Sequence, residues 1–420
     1  RGRRSSNSSS STDRIFVFSP AKVITLSIIS QLILHFVVSR SSSKGSSRHY
    51  TGLLVRGMST KATTTTGSLL SLSANSNSNS NNNNNNNNNN KIIDSHLHVW
   101  ANTKEATTTY PYETGQTPPD SLKDVACVAS LLEKMKDCGV DGALIVQPIN
   151  HKYDHSYVLD QAVKEYPSKF KGMMLHDPAL SVEAAINKLE ELTLAGFVGV
   201  RYNPYLWPMN ENENNSGMNN IPMSTPHNGG AGLAVYQRCG ELNMPVGVMC
   251  FKGLGLHLDD IQKLLNHSPN TIMILDHFCF TKLDSTQTQK VGTTNMDDDN
   301  SNDGNANEKV FQQLLQLGQD YPQLMVKISA LFRLEDDTGY PYERVRTERF
   351  EPLLQVFGPQ RLLFGTDFPF VLEQEGSYQG AVEVVSSWCR QSKLNDREDG
   401  ESVRKLIMGG TAERLFGPWG

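Results

Sequence analysis

Residues 91–98 read Lys91-Ile92-Ile93-Asp94-Ser95-His96-Leu97-His98. A short apolar run opens this stretch and a pair of histidines closes it. The run does not alternate apolar with polar, which is how a strand buried on both faces of a parallel sheet reads. Residues at i and i+2 on a strand point the same way. His96 and His98 therefore form a candidate bidentate pair, and imidazole suits zinc, iron, nickel or copper.

Working outward, similar runs recur at 140–147, 172–175, 197–201, 245–250, 271–276, 324–329 and 361–365. Amphipathic stretches with apolar residues at i, i+3 and i+4 separate them, at 122–138, 156–166, 182–194, 233–242, 259–265, 309–319, 347–356 and 381–391, with a last one at 401–416. Gly139, Gly196 and Gly358 mark helix ends. Strands that each lead into a helix predict an α/β fold, a closed (β/α)8 TIM barrel. The alternative is an open doubly wound sheet, but no G-x-G-x-x-G or G-x-x-x-x-G-K-[ST] loop follows any strand.

Barrel chemistry gathers at the carboxyl ends of the strands. After the first strand's His96 and His98, the second strand ends at Gln147, the third at His176, and the fourth in Arg201-Tyr202-Asn203. The fifth ends in Met249-Cys250, the sixth in Asp276-His277, the seventh in Lys327-Ile328-Ser329, and the eighth in Gly365-Thr366-Asp367-Phe368-Pro369. An arginine at a barrel mouth matches a carboxylate's two oxygens, or else closes an internal ion pair. An acid at the last strand's end can ligate a metal or take a proton from water. His227, His257 and His267 read as surface residues. His151, His155 and His176 can line the mouth, as can Trp100, Trp207 and Phe368, while Trp388 reads as core.

The 420 residues carry a net charge of −5 that describes no part of the chain. Residues 1–90 have a net charge of +9 and the remainder −14. The basic head lacks apolar periodicity and cannot bury a core; it reads as a disordered, targeting-like and low-complexity leader ending in the Asn run at 81–90. Val23 to Ser39 form an apolar run behind a basic start, the pattern of an organelle or secretory signal within 1–60. Translation from Met58 would leave a cytoplasmic protein. The acidic body, 91–420, argues against a nucleic-acid partner and fits a small-molecule substrate. Six scattered cysteines without C-x-x-C spacing fit free thiols. Two low-complexity tracts, near 209–230 and 284–308, read as loop insertions; Asp297, Asp298 and Asp299 in the second read as solvated. A homo-oligomer is compatible with the sequence but not specified by it.

Taken together, H-x-H on the first strand, D-H on the sixth and G-T-D-F-P on the eighth resemble the amidohydrolase-related, or amidohydrolase-2, branch of the amidohydrolase superfamily. Gly199–Asn203 (G-V-R-Y-N), Val326–Leu331 (V-K-I-S-A-L) and Met408–Phe416 (M-G-G-T-A-E-R-L-F) are similar to that branch too. The resemblance spans about 91–420. It implies a distorted (β/α)8 barrel of the metal-dependent-hydrolase type that hydrolyses a small molecule. Members include sugar lactonases, pyrone-dicarboxylate lactonases and decarboxylases that act without oxidation. His96, His98 and Asp367 match the metal-side positions, and His277 matches the sixth-strand histidine. Arg201 stands near the place where metal-bridging members carry lysine, against a two-metal centre. On the fifth strand Met249 or Cys250 replaces the histidine of many metal-dependent members. The resemblance therefore implies at most one divalent metal, zinc by its donors, or the metal-free catalysis of some lactonases.

The function expected is lactone opening in a small carboxylated substrate. Asp367 is the general base, His277 assists, and Arg201, Tyr202, Asn203, Lys327 and Gln147 bind the substrate. The alternatives are a non-oxidative, metal-dependent decarboxylase and a catalytically inactive barrel that binds a small molecule.

Overall fold

The computed structural model describes residues 91–209, 220–226, 229–284, 306–335, 339–392 and 400–420. The basic head, the Asn run, Asp297 to Asp299, His227 and most of both expected insertions lie outside the described residues.

The apolar runs form eight strands: β1 (Ile93–Leu97), β2 (Gly142–Val146), β3 (Phe170–Leu175), β4 (Phe197–Tyr202), β5 (Val246–Val248), β6 (Met273–Leu275), β7 (Leu324–Ile328) and β8 (Leu362–Phe364). They pair in sequence order, every neighbour parallel. The ring closes between β8 and β1. Asp367 N–H donates to the His96 carbonyl at 2.9 Å, and His98 N–H to the Phe368 carbonyl at 2.7 Å. The residues expected to do chemistry thus also make the closing bonds of the barrel.

Alternation along each strand divides the core into two layers. Ala143, Ile145, Phe197, Val200 and Leu275 face the surrounding helices. Ile93, Leu144, Val146, Met173, Ile274, Met325 and Leu363 fill the barrel and pack against Ala412, Phe416 and Trp419 of the C-terminal segment. Trp419 sits against Gly142, at the start of β2, so this segment closes the amino end of the barrel. Two residues further along β6 and β7, on the same inward face, stand Asp276 and Lys327. Arg201 of β4 joins them. The interior therefore runs from an apolar plug, through a charged layer, to the carboxyl-end mouth.

A helix follows each strand. Val182–Leu194 falls on its expected span, capped by the Ser181 hydroxyl accepting from Ala184 N–H and ended by Gly196 at φ +108°. The helix expected over 122–138 is shorter, Val128–Asp137. Its first part is held as turns because Trp100 N–H donates to the Ala126 carbonyl and Asp124 Oδ1 accepts from Thr103 N–H. Part of the first expected insertion is anchored: Asp260 accepts from the backbone N–H of Met223 and Ser224, and Met223 is buried. Among the described residues no helix is long and apolar enough to cross a membrane.

Candidate active site

The site is built on the seam between β1 and β8. Asp94, fully buried, accepts four hydrogen bonds there. Oδ1 takes Thr366 N–H at 3.0 Å and His96 N–H at 3.2 Å. Oδ2 takes the Thr366 hydroxyl at 2.6 Å and the Tyr378 hydroxyl at 3.1 Å. Burial still pushes the Asp94 carboxyl up to about 6, against the pull of these donors. Thr366 Oγ1 in turn accepts from Phe368 N–H at 3.1 Å. This clamp holds Asp367 at φ +63°, a left-handed conformation that a short acidic side chain tolerates. Gly365 is needed beside it: a Cβ there would lie 2.8 Å from His96 Cβ and 2.9 Å from His96 N.

Asp367 faces three imidazoles. Its Oδ1 lies 3.6 Å from His98 Nε2 and 3.7 Å from His277 Nε2. The His96 and His277 rings are 4.2 Å apart, and those of His96 and His98 5.2 Å. His277 reaches the group from a left-handed turn in which His277, Phe278, Cys279 and Phe280 have φ of 53°, 51°, 58° and 53°. Each such residue costs roughly 1–2 kcal/mol, so the turn must be held from outside. Cys279 N–H bonds the Asp276 carbonyl at 2.9 Å, Arg349 holds the Thr281 carbonyl at 2.9 Å, and all four side chains are buried. His277 Nδ1 meets Ser329 Oγ at 2.8 Å.

The second oxygen of Asp367 belongs to Arg333, whose Nε and Nη2 lie 2.9 and 2.8 Å from Oδ2. That guanidinium also covers the rings of Phe332 and Phe370 at 5.0 and 5.1 Å. Below, Asp276 gathers the charged layer. Its Oδ1 is 3.1 Å from His96 Nδ1 and 3.3 Å from Lys327 Nζ, and its Oδ2 accepts from Arg201 Nε at 3.2 Å.

An amidohydrolase family model matches residues 93–417, more than three quarters of the chain. The chain belongs to the amidohydrolase-2 family. A 63-residue stretch is 40% identical to an L-fucono-1,5-lactonase of Burkholderia multivorans, covering 15% of this chain and 19% of the lactonase. Solved structures share the fold. A probable 2-pyrone-4,6-dicarboxylic acid hydrolase from Acinetobacter baumannii, with citric acid bound, has a TM-score of 0.56 at 19% identity, over 78% of this chain and 99% of its own. An amidohydrolase from Burkholderia multivorans with bound zinc has a TM-score of 0.52 at 17% identity, over 78% and 99%.

In this amidohydrolase the residues expected at the site divide into two sets. The structure brings His96, His98, His277 and Asp367 together. It commits Arg201 and Lys327, expected to hold an anionic substrate, to Asp276 beneath the histidines, where Lys327 is fully buried. Tyr202 alternates to the outer face of β4; its hydroxyl donates to the Gly232 carbonyl and its ring packs on His176 and Trp207. Asn203 caps the turn Pro204–Leu206. Gln147 Nε2 donates to the carbonyls of Lys152 and Asp154, closing the loop after β2. Met249, one of the two residues expected at the end of the fifth strand, accepts from Arg201 Nη2, and the other, Cys250, is buried. His257, expected at the surface, is buried with its Nε2 on the Tyr205 hydroxyl at 2.9 Å. Sequence reasoning missed Arg333, Ser329 as the partner of His277, and Asp276 as a counter-ion. Arg333 follows the strand-end motif by two residues, but a loop has no periodicity to aim its side chain.

The three histidines are neutral. Burial pulls His96 down to about 3, and His98 and His277 well below their ordinary value. His98 Nδ1 is 2.8 Å from the Val146 carbonyl, which can only accept, so Nδ1 carries the proton and Nε2 presents a lone pair to Asp367. Two acceptors 3.6 Å apart call for a shared proton or cation. Burial raises the Asp367 carboxyl to about 6, with Arg333 and Arg201 pulling the other way.

The donor set suits a divalent metal. One ligand atom each from His96, His277 and Asp367 lies within 4.8 Å of the others, and His96 Nε2 is buried with no protein partner. The expected trio of His96, His98 and Asp367 differs from this compact one in a single member, with His98 adjoining Asp367. Two imidazoles and a carboxylate are donors that zinc accepts.

Proposed function

We propose that this amidohydrolase hydrolyses a lactone in a small anionic substrate, with Asp367 as general base. The observation that carries the reading is the division of labour on one buried carboxylate: Arg333 occupies Oδ2, while Oδ1 is left among imidazole nitrogens. The short match to a lactonase supports the reaction class.

Oδ1 takes a proton from a water held between Asp367 and the His98 lone pair. The resulting oxygen nucleophile attacks the lactone carbonyl carbon. As charge builds on the carbonyl oxygen, the ring nitrogens of His96 and His277 stabilise it. The ring C–O bond then breaks, and the proton on Asp367 passes to the leaving oxygen, regenerating the carboxylate. A divalent metal held by His96, His277 and Asp367 supplies Lewis-acid polarisation of the same carbonyl when bound. Arg333 has 27% of its side chain exposed and is the cation placed to meet a substrate carboxylate, the role expected of Arg201 and Lys327.

A base must be ionised to accept a proton. Because the Asp367 carboxyl is raised to about 6, kcat/KM of the metal-free protein should rise tenfold per pH unit below about 6 and level off above it. A flat profile from pH 4.5 to 7.5 would reject Asp367 as the base. Removing the Arg333 charge lets the carboxyl climb further, so Arg333→Met should move the acid limb to higher pH. It should also raise KM for an anionic lactone by about tenfold, the order of a lost charged hydrogen bond. An unmoved limb and KM would show that Arg333 serves neither group.

Product analysis on aldonolactones, pyrone dicarboxylates and aromatic carboxylic acids tests the reaction class. Ring-opened hydroxy acids or enols support the proposal. Carbon dioxide release from aromatic acids would replace it with decarboxylation, and tight binding without turnover would make the barrel a binder.

A further inference from the structure

We propose that Lys327 is a positioning residue that fixes the tautomer of His96 and so loosens the site's grip on a divalent cation. This deepens the reading above, since it rests on His96 facing the reacting carbonyl.

The observation is a fork at His96 Nδ1, which lies 3.1 Å from Asp276 Oδ1 and 3.1 Å from Lys327 Nζ. The two neighbours make opposite demands, because a carboxylate only accepts hydrogen bonds and an ammonium only donates them. A doubly protonated ring would point its Nδ1–H at the Lys327 ammonium 3.1 Å away, so the ring has a single proton to place. With that proton on Nδ1, the ring donates to Asp276, but the N–H also confronts the Lys327 ammonium. With it on Nε2, the Nδ1 lone pair accepts from Lys327. Asp276 loses nothing by this: a second ammonium proton reaches Oδ1 at 3.3 Å, and Arg201 Nε serves Oδ2 at 3.2 Å. Only the second arrangement keeps an N–H from facing an ammonium inside the buried layer, where a repelled donor costs most; what it leaves is the Nε2–H, which has no protein partner and is free for a ligand. His96 therefore presents Nε2–H at the mouth.

Metal-bound histidines usually donate their far N–H to a carboxylate, which leaves a lone pair for the ion. Asp276 alone would impose that arrangement here. Lys327 opposes it, so a cation at His96, His277 and Asp367 must first drive the ring proton onto Nδ1, toward the ammonium. The same Nε2–H is suited to donate to a carbonyl oxygen without a metal. The balance between Asp276 and Lys327 thus tunes the site between two ways of polarising one bond.

The test titrates zinc chloride alone into the metal-free full-length protein, in competition with a chromophoric chelator. Lys327→Met should bind zinc about 10- to 100-fold more tightly than the unaltered protein, the range found for partners of metal ligands. Equal or weaker binding overturns the proposal. So does a gain that survives an added His277→Gln, because the zinc would then lie elsewhere. Loss of a buried cation can unfold the variant, so a second measurement uses the unaltered protein. Histidine-selective ¹⁵N labelling and a long-range ¹H–¹⁵N spectrum, with His96 assigned through His96→Gln, should show its proton on Nε2; a proton on Nδ1 overturns the proposal. Neither readout needs turnover, so the lactonase reading can fail while this one stands.

Discussion

Asp367→Asn should lower turnover of the confirmed substrate by roughly 10²- to 10⁴-fold, the usual contribution of a positioned general base, while the protein remains folded. The amide keeps the shape of the carboxyl and an oxygen that can accept from Arg333, but it cannot take the proton of water. The stability side follows from the sign of the titration shift. The carboxyl is raised in the folded state from 3.8 to about 6. Stability linked to its proton is complete below pH 3.8 and is lost as pH rises through about 6. At pH 7.5 the ionised, buried Asp367 thus already weighs against folding, and a neutral amide removes that term. The pull of the Arg333 ion pair is already contained in that raised value, so it does not reverse the sign. The thermal midpoint of Asp367→Asn at pH 7.5 should therefore equal or exceed that of the unaltered protein. Steady-state kinetics with thermal denaturation on the same samples checks both halves. Unaltered turnover would remove Asp367 from the mechanism; low turnover with a collapsed midpoint would make its role structural.

The barrel was legible because each strand is buried on both faces and so leaves a continuous apolar run, such as Gly142–Val146 or Leu324–Ile328. His96 and His277 were legible because each closes or directly follows such a run, and Asp367 because it stands two residues beyond one. What the sequence hides is pairing. Arg201 and Lys327 read as cations at a mouth, and nothing in their own strands says that Asp276, two strands from Arg201, will neutralise them from within. Asp276 was in view, but beside His277 it read as part of a motif and not as the counter-ion of a layer. Arg333 was invisible for a different reason: loop geometry, not periodicity, turns it back onto Asp367. The left-handed turn from His277 to Phe280 contains no glycine. Surrounding hydrogen bonds and burial impose it against local preference, so no local rule could announce it.

Asp276→Asn should destabilise the protein by about 3–5 kcal/mol, the range for breaking a buried ion pair by removing one partner. The substitution keeps the side chain's size, so it isolates charge. In the native layer burial alone would raise the Asp276 carboxyl, yet Lys327, His96 and Arg201 together hold it well below the ordinary carboxylate range. That is the response of one anion answering two cations. Without it, Arg201 and Lys327 face each other in an interior that water does not reach, and only Lys327 can relieve the repulsion, by giving up its proton. A lysine whose folded pKa falls below its unfolded value makes folding more favourable as pH rises. The loss in Asp276→Asn should therefore shrink between pH 7 and pH 10, whereas a defect in packing alone would not respond. Adding Lys327→Met should recover part of the loss at neutral pH, because one cation is removed and its volume refilled with apolar atoms. Urea denaturation of the unaltered protein, the single variant and the double variant at the two pH values measures all of this. A single variant within about 1 kcal/mol of the unaltered protein, or a loss indifferent to pH, would mean that Asp276 does not carry the charge balance of the barrel interior. The same layer would then be too weakly coupled to govern the proton on His96, so the cost of losing Asp276 and the tautomer at the mouth are consequences of one electrostatic arrangement.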